Sequence, residues 1–379
     1  MKKHVIFALL VFLLLFALVG CWDSVEISDM IIGIGTAYDF TEDGQIELTV
    51  EILMPSKQEQ GYSVETKTIT VKGATVIEAV QNLSKVTNNQ FTWAYDQVLI
   101  IGEELSKQPT NIYIDSWNRS HYIRPDVYIT ISKGPAKDIL NVENKDSLNS
   151  QAKEIANLMK GQISRGNGFS YTILQKDLFS DMMTEGAAAI LPIIELNEKK
   201  EVELAGLAVF KDNTVVGELD STETRGLLLA RGLLQSSVFL VKDKTETNLV
   251  VLNLLGLKQK YQVKEKDGKV EIIIKLEVKS AIREQIGYED ILQKEQIDWL
   301  NQALAELIKA EILTTWEKEK ELKADVLHLG QQINRYKPKI WQKLREDWPE
   351  NIQKITLSIE VKTQILFQGD INYPIQYKN

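Results

Sequence analysis

The chain holds a single cysteine, Cys21, and its position constrains everything that follows it. It closes the run Leu18-Val19-Gly20-Cys21, behind an uninterrupted apolar stretch from Val5 to Val19 and the basic start Lys2-Lys3. A positive leader with a short apolar core is an export signal, whereas a spanning helix needs roughly 20 apolar residues. Small residues ahead of Cys21 let the chain enter a narrow peptidase site in extended form, and the thiol is a nucleophile that a diacylglycerol can alkylate. The expected product begins at lipidated Cys21, which makes residues 1–20 a lipoprotein signal peptide. Each buried acyl methylene adds about 0.8 kcal/mol and one chain alone holds weakly, so two or three chains on Cys21 give a durable anchor. The chain is expected to be fastened to a membrane without crossing it. With its thiol committed to lipid, the body has no disulfide and must be held by packing alone.

Loss of the leader removes Lys2 and Lys3 but no acid, leaving 42 basic against 53 acidic residues, a net charge of −11. An acidic body is repelled by phosphate backbones, and no Lys/Arg run interleaved with aromatics overrides this, so nucleic acid is not an expected partner. The apolar and charged fractions are those of a globular chain, long enough for two or three domains with cores of their own.

Ile46, Leu48, Val50 and Ile52 alternate with Glu47, Thr49 and Glu51, the period-two signature of a half-buried strand. Tyr62 to Lys72 reads as a second strand, and Val76, Val80 and Leu83 then follow at helical spacing. Gln97 to Ile101 and Val127 to Ile131 read as strands on either side of a short helix or loop from Pro109 to Asn118. A first mixed domain is expected over 21–135. From Ala136 the chain reads as helical, broken by a flexible Gly161 to Gly168 segment. It then forms a hairpin in which Ala205–Phe210 and Thr214–Leu219 flank Lys211-Asp212-Asn213. This defines a smaller middle domain, 136–225. In the last domain, 226–379, Val270, Ile272, Ile274, Leu276 and Val278 alternate behind the turn pair Asp267-Gly268. No proline or glycine interrupts 290–323, where Ile297, Leu300, Leu304, Leu307 and Ile308 form one stripe of a long amphipathic helix. Ile355, Leu357, Ile359 and Val361 alternate in a strand able to return beside the hairpin. The expected fold class is α+β: three mixed α/β domains with predominantly antiparallel sheets, since strands and helices do not alternate as in a doubly wound sheet.

Signals for catalysis are weak. His4 leaves with the leader, and His121 and His328 stand far apart, neither at a metal-ligand spacing. Gly33 and Gly35 lack the third glycine and the Gly-Lys-Ser/Thr of a phosphate loop, and read as tight packing at a strand. Glu103-Glu104 and Glu284 with Glu289 read as solvated faces rather than acid–base pairs, and no Gly-x-Ser-x-Gly elbow is present. Trp117, His121 and Tyr122 with Arg119 and Arg124 hold the ingredients of a cation–aromatic cradle, but core packing beside a surface loop is the favoured reading. No catalytic residue, cofactor or metal is expected.

The segment Cys21-Trp22-Asp23-Ser24-Val25-Glu26-Ile27 resembles the mature start of the lipid-anchored C subunits of bacterial spore germinant receptors. Further blocks follow in order: Glu78-Ala79 and Leu83, Val98 to Leu105, Arg119 with Ile123-Arg124, Gly206 to Lys211, and Glu223-Thr224-Arg225-Gly226. Asp325, Gly330, Pro338, Trp341 and Trp348 complete the likeness near the end, whereas Ser24-Val25 and Leu327-His328-Leu329 depart from it. The resemblance implies Cys21 as the lipidation site and Trp22, Asp23 and Glu26 as candidate interaction residues. It implies a place on the outer face of the spore inner membrane and assembly with two integral-membrane subunits, A-type and B-type. It also implies a part in nutrient-triggered germination without enzyme activity, and it leaves direct contact with the nutrient open. The competing reading is a solute-binding lipoprotein of a membrane transporter, which the chain fits poorly because repeated β-α units forming two lobes are missing. A lipid-anchored hydrolase has less support still, for want of a nucleophile or metal signal.

Overall fold

Strand β1 (Met30–Phe40) opens the body, and β2 (Ile46–Gln58) and β3 (Gly61–Gly73) fold back on it as an antiparallel ribbon. The computed structural model describes residues 3–4, 30–58, 61–87, 90–119, 124–142, 150–165, 168–242, 249–266, 269–287 and 293–366. Cys21, Trp22, Asp23 and Glu26 lie outside the described residues, as do His121, Tyr122, Asp267, Gly268 and Glu289. In β2 the apolar Ile46, Leu48, Val50 and Ile52 are buried, as alternation requires. The expectation of a half-buried strand is corrected, however: Glu47, Thr49 and Glu51 on the other face are buried too. Helices cover both faces here, and the polar side chains are matched by charges and backbone donors supplied by those helices.

Helix α1 (Val76–Val86) starts at a capping pair in which Thr75 accepts from Glu78 N and Glu78 accepts from Ala74 N. Strands β4 (Gln90–Thr92) and β5 (Val98–Ile101) then lie parallel to β1. The short helices α2 (Glu103–Ser106) and α3 (Ile114–Arg119) lead to β6 (Tyr128–Ser132), parallel to β5. Helices α4 (Ala136–Leu140), α5 (Gln151–Arg165) and α6 (Gln175–Met182) precede β7 (Ile190–Leu196), which is parallel to β6. The flexible break expected from Gly161 is not found there: α5 continues through Gly161 to Arg165. One glycine costs a helix only about 1 kcal/mol, and Ala152, Ile155 and Met159 hold this helix by burial against the sheet.

Strands β8 (Val202–Lys211) and β9 (Thr214–Leu219) form the expected hairpin, with Asp212 left-handed in its turn. The result is one nine-stranded sheet, ordered β3-β2-β1-β5-β6-β7-β8-β9 with β4 beside β1. It is parallel in the middle and antiparallel on both flanks, and it carries strands from either side of residue 135.

After α7 (Ser221–Ala230) the chain builds a second sheet from β10 (Val238–Lys242), β11 (Leu249–Lys266), β12 (Lys269–Ile286) and a final strand. The β11–β12 ribbon is paired over nearly its full length. Helix α8 (Lys294–Leu322) covers it with Leu300, Leu304 and Ile308, a stripe continued by Ile312 and Trp316. Helices α9 (Leu329–Tyr336) and α10 (Pro338–Leu344) follow, and β13 (Thr356–Leu366) returns parallel to β12. The fold is thus mixed α/β with two sheets, and its long ribbons are antiparallel.

Candidate functional site

Within the first sheet, carboxylates on strands reach across to the starts of helices. Asp39, at the end of β1, accepts hydrogen bonds from Ala136 N at 2.7 Å and Lys137 N at 2.9 Å, the first turn of α4. That helix is preceded by Pro135, which has no capping side chain, so the cap comes from a residue distant in sequence. Glu51 does the same for α5, accepting from Gln151 N at 3.0 Å and Ala152 N at 2.7 Å. Burial pushes both carboxyls above their ordinary range, while the backbone donors pull the other way. Burial would raise Glu47 as well, but the hydrogen bond and charge of Lys137, 2.8 Å away, together with Lys72, hold it below its usual value. Asp96 accepts from the Thr36 hydroxyl at 2.7 Å and is pushed up to about 7 by full burial. Gly35 makes room for this arrangement: a Cβ there would stand 2.3 Å from the Cβ of Ala152.

A second cluster joins the two sheets. Asp325 accepts from Leu329 N at 2.7 Å through one oxygen, and from Gly330 N at 2.6 Å and Trp348 Nε1 at 3.1 Å through the other. Its own carbonyl accepts from Ala188 N at 2.8 Å, just ahead of β7. One residue therefore ties together the start of α9, the segment before β13 and the first sheet. Gly186 and Gly330 meet back to back, a Cβ on Gly330 falling 2.7 Å from the Gly186 Cα and 2.8 Å from the Trp341 ring. Trp341 donates to Glu185 at 3.1 Å and packs edge-on against Trp348 with ring centroids 5.2 Å apart. Glu319, fully buried near the end of α8, accepts from Leu327 N at 2.7 Å. Tyr261 donates to Leu327 O and Ala230 O.

The electrostatics of this junction follow from its dryness. Burial and the neighbouring Asp325 charge raise Glu319 well above the carboxylate range. Burial raises Asp325 to about 7, against the pull of its donors and of Arg231. Burial lowers His328 to about 3, so its imidazole is neutral, with Nε2 3.4 Å from Ala188 O and 4.0 Å from Asp181. A pocket of about 210 Å³ opens beside the cluster, lined among others by Thr184, Phe210, Lys211, Asp212, Asp325 and Trp348. Its buried carboxylate is already taken up by three donors, and Lys211 pairs with Glu350 at 3.0 Å. What the arrangement does chemically is hold parts together.

Helix α7 adds a further joint. Its capping box, Asp220 with Glu223, sets its start, Gly226 packs against Glu311 O and the Thr315 hydroxyl, and Arg225 forms a bidentate pair with Glu311 of α8. The block Glu223 to Gly226, singled out in the sequence, is thus a contact between helices.

The sequence-selected aromatic group is not a cradle in its described part. Trp117 is buried among Tyr38 and Tyr113, at centroid distances of 5.3 and 5.6 Å, while Arg119 pairs with Asp115 and Arg124 with Asp126. Glu103 and Glu104 share Lys107, and Glu284 is exposed. Gly33 and Gly35 serve packing, as expected. Chemical motifs in the sequence missed the Asp325 cluster, because its members come from four separate segments. Only the resemblance blocks touched it, through Asp325, Gly330, Trp341 and Trp348. Among the described residues no group of three His, Cys, Asp or Glu side chains could hold a metal ion, and no helix is long and apolar enough to cross a membrane.

Comparison with known proteins gives a consistent picture. The model of the spore germination protein N-terminal domain matches residues 23–196, and that of the spore germination B3/GerAC-like C-terminal domain matches residues 205–369. Spore germination protein B3 of Bacillus subtilis (strain 168) is 24% identical over 379 residues, covering 98% of this chain and 100% of the relative. Spore germination protein KC of the same organism is 23% identical, covering 100% and 99%. The crystal structure of the GerBC protein superposes with a TM-score of 0.56 at 20% identity, over 88% of this chain and 97% of that one, which shows a shared fold. The transporter alternative gains no support from these matches.

Proposed function

Because the chain belongs to the spore germination GerAC family and is a C-subunit member of it, we propose that it is the lipid-anchored, non-catalytic part of a germinant receptor, needed for assembly or signalling at the outer face of the spore inner membrane. The observation that carries this reading is the use made of the family-like residues. Asp325, Gly330, Trp341 and Trp348 converge on one site, and there they are occupied by backbone donors and close packing rather than facing a reactive centre. Such a body is suited to transmitting contact. The leader and Cys21 support anchoring, and confinement to a surface raises the effective concentration of the body beside membrane partners, so that modest contacts suffice. Trp22, Asp23 and Glu26, next to the anchor, are placed to make the first of those contacts.

The test is affinity capture of the tagged full chain from spore membranes, alongside germination of a deletion strain. Co-purification of two multi-spanning proteins, and loss of the response to a particular nutrient on deletion, are the expected results. A deletion strain that germinates normally in every nutrient tested would remove the basis for the proposal, as would capture of the chain without membrane partners.

A further inference from the structure

The anchor reading leaves only a short tether. Nine residues separate Cys21 from Met30, and a fully extended chain of that length spans about 30 Å. The end of the first sheet at which β1 begins is therefore held close to the bilayer. Strand pairing identifies what else lies at that end. Met30 pairs with Gln90 of β4, and Ile32 pairs with Leu53 of β2. Beyond Leu53 the β2–β3 ribbon continues to Gln58 and Gly61, about 17 Å further along the strand direction. Gly73, at the other end of β3, pairs with Ile46, so α1 starts at the far end and runs back to finish at Val86. Strands β5 and β6, parallel to β1, also begin at the near end, where Arg124 reaches the Ala94 carbonyl beside Tyr95.

Two properties of this end match a membrane surface. Met54, Val86 and Tyr95 are large apolar or amphipathic side chains exposed by 44%, 59% and 59%. The segments 54–62, 84–95 and 119–127 carry Lys57, Lys85, Arg119 and Arg124 against Glu59 and Asp126, a basic excess on a chain that is otherwise strongly acidic. Basic residues beside exposed apolar and tyrosine side chains suit the anionic headgroup layer.

We propose that this end of the first sheet, comprising the β2–β3 ribbon, the C-terminus of α1 and the turn before β5, rests on the lipid bilayer with its basic side chains over anionic phospholipid. The orientation rests on the anchor reading and adds to it the face that the body turns to the membrane.

Since Cys21 is the sole cysteine, the acylated full chain accepts one new thiol label without ambiguity. Val86→Cys, Tyr95→Cys and, in the turn at the opposite end, Asp43→Cys are each labelled with an environment-sensitive fluorophore. The proteins are reconstituted on vesicles of phosphatidylcholine and phosphatidylglycerol carrying a lipid-borne quencher. Labels at 86 and 95 are expected to be quenched several-fold more than the label at 43, and Lys85→Glu or high salt to reduce that difference. Equal quenching at the three positions, or the strongest at 43, overturns the orientation. Burial of 86 and 95 only after the integral-membrane subunits are added assigns this end to a protein partner and also overturns it. The mass of Cys21 in the same samples separates the two readings: an acylated cysteine with unquenched labels defeats the orientation alone, and an unmodified cysteine defeats the anchor and the orientation together.

Discussion

In the first sheet Asp39 and Glu51 each meet the start of one helix, and each has a pair of backbone N–H groups to itself. At the junction between the sheets Asp325 caps α9 in the same way, but Glu319 lies in the same dry space and raises the cost of a second charge. A lone carboxylate at a helix N-terminus is self-sufficient, because donors and dipole both favour its ionised form. Two carboxylates in one apolar enclosure cannot both ionise, so the pair keeps a proton near neutrality. Glu319 holds it, having only backbone donors on one oxygen and no partner on the other, while Asp325 has three donors. One capping device thus gives an insulated joint within a sheet and a titratable joint between sheets. For a subunit whose proposed work is to pass on contact, the second kind is where conditions can be felt.

The harshest way to break the comparison is through the glycines that let each joint close. Gly186→Ala puts a Cβ 2.7 Å from the Gly330 carbonyl carbon and from the Trp341 ring, at a residue whose φ of 72° already disfavours a side chain. The expected loss is about 3 kcal/mol, read as a lowered urea midpoint, because neither neighbour is a flexible side-chain end. Gly35→Ala is the matched substitution in the first sheet, where the obstacle is the Cβ of Ala152 on α5. It should lower stability comparably while leaving the tryptophan fluorescence of the junction unchanged in the native baseline. A Gly186→Ala protein as stable as the wild type would show that the two sheets are not locked at this point.

Removing the acceptors themselves separates the joints next. Asp325→Ala strands two backbone N–H groups and the Trp348 indole, for an expected loss of about 3 kcal/mol. Asp39→Ala or Glu51→Ala removes a cap whose loss costs up to about 2 kcal/mol. The Asp325 variant should also shift the fluorescence of Trp348, which the other two do not touch. Equal losses in all three would mean that the indole contributes nothing.

How much of this was legible in the sequence depends on how far each cause lies from its effect. The alternation of Ile46 to Ile52 and of Val270 to Val278 is a local signal, and both strands form where it predicts. The burial of Glu47 and Glu51 was not readable, since their partners Lys137, Gln151 and Ala152 lie some hundred residues away. Strand β7 escaped notice because Pro192 lacks an N–H and reads as a breaker; the sheet accommodates it through a register irregularity between Pro192 and Ile194. The junction was visible only through resemblance, as an ordered set of residues with no stated task. Its task is set by geometry, because Asp325 has no sequence neighbour that marks it as buried. The anchor is the reverse case, legible only in the sequence, since Cys21 lies outside the described residues.

The gentlest perturbation, pH, sharpens the comparison most, because each joint has one carboxylate pushed to about 7: Asp96 in the first sheet and Asp325 at the junction. Both are raised above the unfolded value of about 4, so between these limits the folded chain retains protons that the unfolded chain has released. Their stabilising contribution is complete below that window and is lost as pH rises through about 7, with a slope of at most about 1.4 kcal/mol per pH unit for each proton. Thermal midpoints of the wild type should therefore fall from pH 6 to pH 8. Asp96→Asn removes one proton from the slope and keeps an oxygen for the Thr36 hydroxyl. It should match the wild type near pH 6 and exceed it at pH 8, where the wild type must bury a charge. Asp325→Asn removes another proton, but its amide nitrogen must face an N–H of Leu329, Gly330 or Trp348, so it should remain less stable throughout, by a margin that narrows as pH rises. If both variants keep the full wild-type slope, the titrating groups lie elsewhere and the contrast between an insulated and a titratable joint fails.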